Sequence, residues 1–127
     1  MNEKLKQLVA LLIIKTENKQ VIWNKASGDY QFKLILDSGI AVTISYYEGD
    51  INDGENYHIA VFNSKGDVVH RYYCYVNDEH WSLLSKFHRV ASDTYYNVDE
   101  TFEELLNSVN SEDVIGTVSE EGDDLPF

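Results

Sequence analysis

The stretch Tyr30-Gln31-Phe32-Lys33-Leu34-Ile35-Leu36-Asp37-Ser38-Gly39-Ile40-Ala41-Val42-Thr43-Ile44-Ser45-Tyr46-Tyr47 alternates with a period of two on both sides of a turn. Tyr30, Phe32, Leu34 and Leu36 fall on one face and Gln31, Lys33 and Ile35 on the other, the spacing of a strand with one buried side. Asp37-Ser38-Gly39 supplies turn chemistry, after which Ile40, Val42, Ile44 and Tyr46 alternate with Ala41, Thr43, Ser45 and Tyr47. Two such runs joined so tightly pair antiparallel. The scaffold is therefore expected to be an antiparallel sheet.

The rest of the chain supplies what that sheet packs against. Upstream, Leu5, Leu8, Val9, Leu12 and Ile13 recur at helical spacing and predict an amphipathic helix over 3–16. Val21 and Trp23 alternate with Ile22 and Asn24 as a short strand, and Lys25-Ala26-Ser27-Gly28 turns the chain. Downstream, the polar loop 48–56 leads to a strand from Tyr57 to Phe62, a turn over 63–67, and a strand from Val68 to Val76. Asn77 or Asp78 can cap the next helix, with Glu79 in its first turn. Trp81, Leu84, Phe87, His88 and Ala91 form that helix's apolar stripe. A break near Tyr96-Asn97-Val98 precedes a last helix, capped by Asp99, with Phe102, Leu105, Leu106 and Val109 along one side. The pattern predicts an α+β fold: an N-terminal helix, a four- or five-stranded antiparallel meander, and two C-terminal helices laid on one face. Residues 1–109 read as one domain and 110–127 as an acidic linker and tip.

Charge is segregated along the chain. All ten Lys and Arg lie between Lys4 and Arg89, where they nearly balance the twelve acids of residues 1–98. Residues 99–127 hold ten acids and no base, so almost all of the net −12 belongs to the last quarter. A single cysteine, Cys74, excludes an internal disulfide and suits a reducing cytoplasm. The apolar run Leu8 to Ile14 is too short to span a bilayer and is followed by Lys15, Glu17 and Lys19, so neither a membrane span nor a cleaved leader is expected.

The residues offer little for catalysis. His58, His70, His80, His88 and Cys74 form no metal-ligand spacing, although His58 and His70 sit on adjacent expected strands and could face each other. With Gly54 in the glycine position of a calcium loop, the first and third ligands would be Gly49 and Ile51, so Asp50 to Glu55 reads as a solvated turn. No nucleophile elbow or phosphate loop is present, and no enzyme, metal or cofactor is expected. Tyr47, Phe62, Tyr72, Tyr73 and Tyr75 could form a stacking platform for nucleic acid. The body lacks the Lys/Arg stripe that direct nucleic-acid binding draws on, which argues against that role.

The end of the chain, Asp123-Asp124-Leu125-Pro126-Phe127, joins acids to an apolar tip. Pro126 fixes φ and pushes Leu125 toward extended geometry, so the tip does not close a helix and Phe127 is displayed. These five residues resemble the acidic C-terminal tip of bacterial single-stranded DNA-binding proteins, with Gly122 where that family usually carries a further Asp. The resemblance implies a partner among DNA replication, repair and recombination proteins. It assigns Phe127 to an apolar pocket with a basic residue on its α-carboxylate, Leu125 and Pro126 to supporting contacts, and Asp123 and Asp124 to a basic rim. The family's body is an OB-fold, unlike the pattern here. The body, with Lys15 to Trp23 as a marker, is also loosely similar to short uncharacterised bacterial proteins, a likeness that implies no activity. The expected function is a non-enzymatic protein-binding adaptor or competitor. The alternatives are a phage or mobile-element acidic inhibitor that imitates DNA before a nuclease or defence complex, and a divergent single-strand binder.

Overall fold

The computed structural model describes residues 1–119. Three helices and five strands follow in the order α1 (Glu3–Glu17), β1 (Asn24–Lys25), β2 (Gln31–Ile35), β3 (Ala41–Tyr47), β4 (Asn56–Phe62), β5 (Val68–Tyr75), α2 (Trp81–Tyr95) and α3 (Val98–Val109). The strands form one antiparallel meander in the order β1-β2-β3-β4-β5. The expected α+β architecture, with one helix before the sheet and two after it, is present.

The hairpin read from 30–47 has the register Phe32 opposite Ile44 and Leu34 opposite Val42. Its turn closes through the Leu36 N–H donating to the Ile40 carbonyl at 2.9 Å, with Gly39 at φ 93°, a left-handed conformation that glycine tolerates. The apolar side of the sheet then runs Phe32, Ile44, Ile59 and Cys74, each at most 1% exposed. Against it pack Leu84, Phe87 and Ala91 of α2, and Leu5, Val9, Leu12 and Ile13 of α1.

α1 begins where the Asn2 side chain accepts the Leu5 N–H at 2.7 Å. In its last turn lies buried Thr16, whose hydroxyl accepts the Trp23 indole N–H at 3.1 Å. The Trp23 ring meets Phe87 edge-on at 5.6 Å, so one residue ties α1, the sheet's lead-in and α2 together. Val21 and Trp23 are both buried, but the strand expected there starts later, at Asn24. The helix expected after Asn77 begins at Trp81, because Asp78 caps a preceding turn: its carboxylate accepts the His80 N–H at 2.8 Å and the Tyr72 hydroxyl. Glu79 therefore precedes α2.

The chain divides into two compact units at Asn97/Val98, whereas the sequence placed a boundary after residue 109. α3 thus groups with the acidic C-terminal region. Its apolar stripe forms at the expected spacing, yet none of its residues is buried; Phe102, Leu105, Leu106 and Val109 are each more than half exposed. No helix among the described residues is long and apolar enough to cross a membrane.

Two outcomes test this packing. Phe87→Ala should cost about 3–5 kcal/mol of unfolding free energy by urea titration, because the ring is fully enclosed and its walls belong to three elements. Burial holds the His88 imidazole below its ordinary 6.5, although the ring bonds the Tyr30 carbonyl at 2.9 Å. The unfolded chain then takes up the proton first, so stability present above about pH 6.5 falls as pH drops below it. Asp50 and Asp78, held below their ordinary 3.8, contribute only under more acid conditions. His88→Gln should lessen the slope of the stability profile between pH 7 and 5, leaving the part that His58, held low by the same cause, contributes.

Candidate functional site

The sheet has a second face that no helix of its own unit covers. The strand period places Gln31, Ser45, His58 and Tyr73 in one cross-strand row on that side, and Tyr47, Asn56 and Tyr75 in the next. A third row is Lys33, Thr43, Ala60 and Arg71. Small residues pack closely on this face: Ala41, Thr43 and Ala60 are each at most 4% exposed. Beside that patch an open cavity of about 550 Å³ is lined by Gln31, Ser45, Asn56, His58, Tyr73 and Tyr75 of the other two rows, with Asp29 and Asp53 at its edge.

Four of the five aromatic residues singled out from the sequence share this face. Tyr47, Tyr73 and Tyr75 line the cavity. Phe62 lies farther along, opposite Ala41, with the Lys33 ammonium 5.2 Å from its ring centroid. Tyr72 does not belong with them. It pairs with Ile59, points to the helix side and packs against the core. Three tyrosines within four positions of β5 leave the parity ambiguous in sequence, and only the register with β4 settles it. His58 and His70 likewise occupy opposite faces, since His58 pairs with Tyr73 and His70 with Val61.

The walls are held in place. Tyr73 stacks on His58 at 4.3 Å and 16°. The Tyr47 hydroxyl donates to the Asp50 carboxylate at 2.7 Å, which raises the phenol and lowers the acid. Asp50 also accepts the N–H groups of Asn52 and Asp53 at 2.7 and 2.8 Å, so the loop read as a solvated turn is organised around one carboxylate. Gly49 makes that loop possible: at φ 92° a Cβ would stand 2.7 Å from the Glu55 nitrogen. At the far end, Tyr46 donates to Glu55 and is pushed up to about 12, so it stays protonated. Gly54 comes within ordinary contact of the Tyr75 ring, where a Cβ would stand 3.9 Å away.

This face of the sheet is polar and incompletely bonded. Thr43 Oγ1, Ser45 Oγ and His58 Nε2 are shut off from solvent and have no hydrogen-bond partner among the described residues. Desolvation, aided by Arg71, holds the His58 imidazole below its ordinary value, so it is neutral at pH 7. Asp29 and Asp53 line the cavity, whereas no Lys or Arg lines it among the described residues. Nothing here resembles a nucleophile with its base. Cys74 lies in the core, where burial pushes its thiol up to about 11. No group of three or more His, Cys, Asp or Glu able to hold a metal ion occurs among the described residues.

The tip residues Asp123, Asp124, Leu125, Pro126 and Phe127 lie outside the described residues. The chain matches no protein-family model, no curated protein and no solved structure.

The orphaned Thr43 hydroxyl has a measurable cost. Thr43→Val keeps the β-branched shape and removes the unpartnered hydroxyl, so it should stabilise the protein by about 1 kcal/mol in urea unfolding. A loss of similar size would show that the hydroxyl is bonded after all.

Proposed function

We propose that this protein is a non-enzymatic adaptor or competitor that binds a DNA replication, repair or recombination protein in the cytoplasm. Its C-terminal tip carries the contact. Phe127 fills an apolar pocket on the partner, Leu125 and Pro126 support it, and Asp123 and Asp124 meet a basic rim. The observation that supports this most directly is the segregation of charge: ten acids and no base from residue 99 onward, leading to Leu125-Pro126-Phe127. Solubility asks for acids and has no use for an apolar tip. The exposed apolar stripe of α3 adds a second surface suited to protein contact, and two linked weak contacts gain from effective concentration.

A second reading has one observation in its favour. The same run of acids gives a partner-facing surface that imitates a nucleic-acid backbone, as an inhibitor of a nuclease or defence complex would. The third, single-strand binding by the tyrosine face, is weakened by Asp29 and Asp53 at the cavity, which repel phosphate.

Pulldown with the intact chain and with Phe127 deleted separates these readings. The adaptor predicts that deletion lowers recovery of DNA-maintenance proteins by about tenfold or more, the scale of losing one buried anchor. It also predicts that capture weakens as salt rises from 50 to 300 mM. Equal recovery with and without Phe127 defeats it. Loss on neutralising the acids of 99–124, with Phe127 dispensable, supports the inhibitor instead.

A further inference from the structure

The two edges of the sheet are unlike. β1, at one edge, is two residues long, and the Lys25 ammonium beside it lies 5.9 Å from the centroid of the Tyr96 ring. β5, at the other, runs for eight residues and pairs among the described residues only with β4. An edge strand presents a row of unpaired N–H and C=O groups, which proteins commonly guard with Lys, Pro, a short strand or a covering element. β5 contains no Lys, Pro or Gly, and its composition is mostly β-branched and aromatic, the side chains that favour strand pairing. Val69, Tyr73 and Tyr75 are each more than two-fifths exposed along it.

Two local features set how much of that edge is free. Val69 is an extra residue against β4, where Val61 pairs with His70 and Phe62 with Val68, and this bulge interrupts the alternation. At the other end the Tyr75 carbonyl already accepts the Asp78 N–H at 2.8 Å. The regular open edge is therefore 70–74, and its midpoint is Tyr72. A second copy matches this stretch by symmetry: a two-fold axis through Tyr72 pairs β5 antiparallel with itself, and residues directly opposite then share a face. On the uncovered face Arg71 of each copy meets Tyr73 of the other. Arg71 is the strand's one formal charge, is exposed, and has no ion pair among the described residues, so a ring face opposite it supplies a partner. An axis one residue earlier would set Arg71 against Arg71, and like charges directly opposite destabilise a pair. Self-pairing also joins the two long edges and leaves only the short β1 edges outside, so assembly closes at two copies. The nearly balanced charge of residues 1–98 puts little repulsion in its way.

We propose that β5 is a self-pairing edge, through which two copies of this chain join antiparallel over 70–74, with Arg71 of each against Tyr73 of the other, to form one continuous sheet. The contact is independent of the C-terminal tip and belongs to the sheet alone. It offers about four to six backbone hydrogen bonds and buries little area, so the dimer is reversible and dissociates on dilution.

The test is sedimentation of the full chain from about 10 μM to 1 mM, with backbone amide resonances followed over the same range. The mass should rise from one chain toward two, and the largest resonance shifts should fall in 70–74. Both Arg71 and Tyr73 are exposed, so the fold tolerates their replacement. Tyr73→Lys, which sets a like charge opposite Arg71, should weaken association about tenfold or more, and Arg71→Glu about fivefold. The double variant Arg71→Glu/Tyr73→Lys places opposite charges across both positions and should restore association to within about threefold of the parent chain. Deleting Phe127 should leave association unchanged. Raising salt from about 50 to 300 mM should leave it equal or tighter, because each chain carries −12, whereas partner capture by the tip weakens; the two readings therefore fail separately. A single-chain mass at every concentration overturns the proposal and leaves the edge to a foreign strand. Shifts centred on β1 or α3, or a double variant that associates no better than the single ones, also overturn it.

Discussion

A β-strand sends successive side chains to opposite faces, and β3 uses this constraint to build two different surfaces from seven residues. Val42 and Ile44 enter the core under α1 and α2, while Ala41, Thr43, Ser45 and Tyr47 face the other side, where Ser45 and Tyr47 line a cavity. Neither surface can be moved without the other, because a slip of one residue would exchange them. The register is fixed by burial on the helix side, where Phe32, Ile44 and Ile59 are enclosed together. The cavity inherits its geometry from that packing, because its strand-borne walls share the same register.

The hairpin, both long helices and the order of elements were legible in the sequence because each has strong periodicity and few competitors. Other features depend on partners that a linear pattern does not display. Trp23 and Val21 alternate like a strand, but their burial comes from lying beneath α1 and α2, and the ladder begins only at Asn24, opposite Lys33. Tyr72 could not be separated from Tyr73 and Tyr75 because consecutive tyrosines satisfy either parity. Asp78 looked like a helix cap and became the anchor of a turn, where the Tyr72 hydroxyl competes for the same carboxylate. α3 shows how little amphipathicity alone decides: its stripe has helical spacing and still buries nothing.

The second face left one signal in the sequence, the run of small residues Ala41, Thr43 and Ser45 alternating with Val42, Ile44 and Tyr46. Small residues on a strand's outer side usually read as indifferent surface. Their meaning emerges only when Tyr47, Tyr73 and Tyr75 are seen to share that side, which requires the pairing of three strands. The contribution of the loop was equally hidden. Asp50 to Glu55 could be dismissed as a calcium site from its spacing, but its work is to hold a tyrosine hydroxyl at one end and another at the other.

The acidic region and the tyrosine face differ in how anything approaching them is met. The charge of the ten acids beyond residue 98 acts at range: its field is screened within about 8–10 Å at physiological salt and is indifferent to the shape of what it meets. The tyrosine face acts only on contact, through side chains whose places are fixed by the strand register and by the loop that Asp50 organises. Ionic strength therefore separates the two before any residue is changed, because salt weakens the first and leaves the shape of the second as it is.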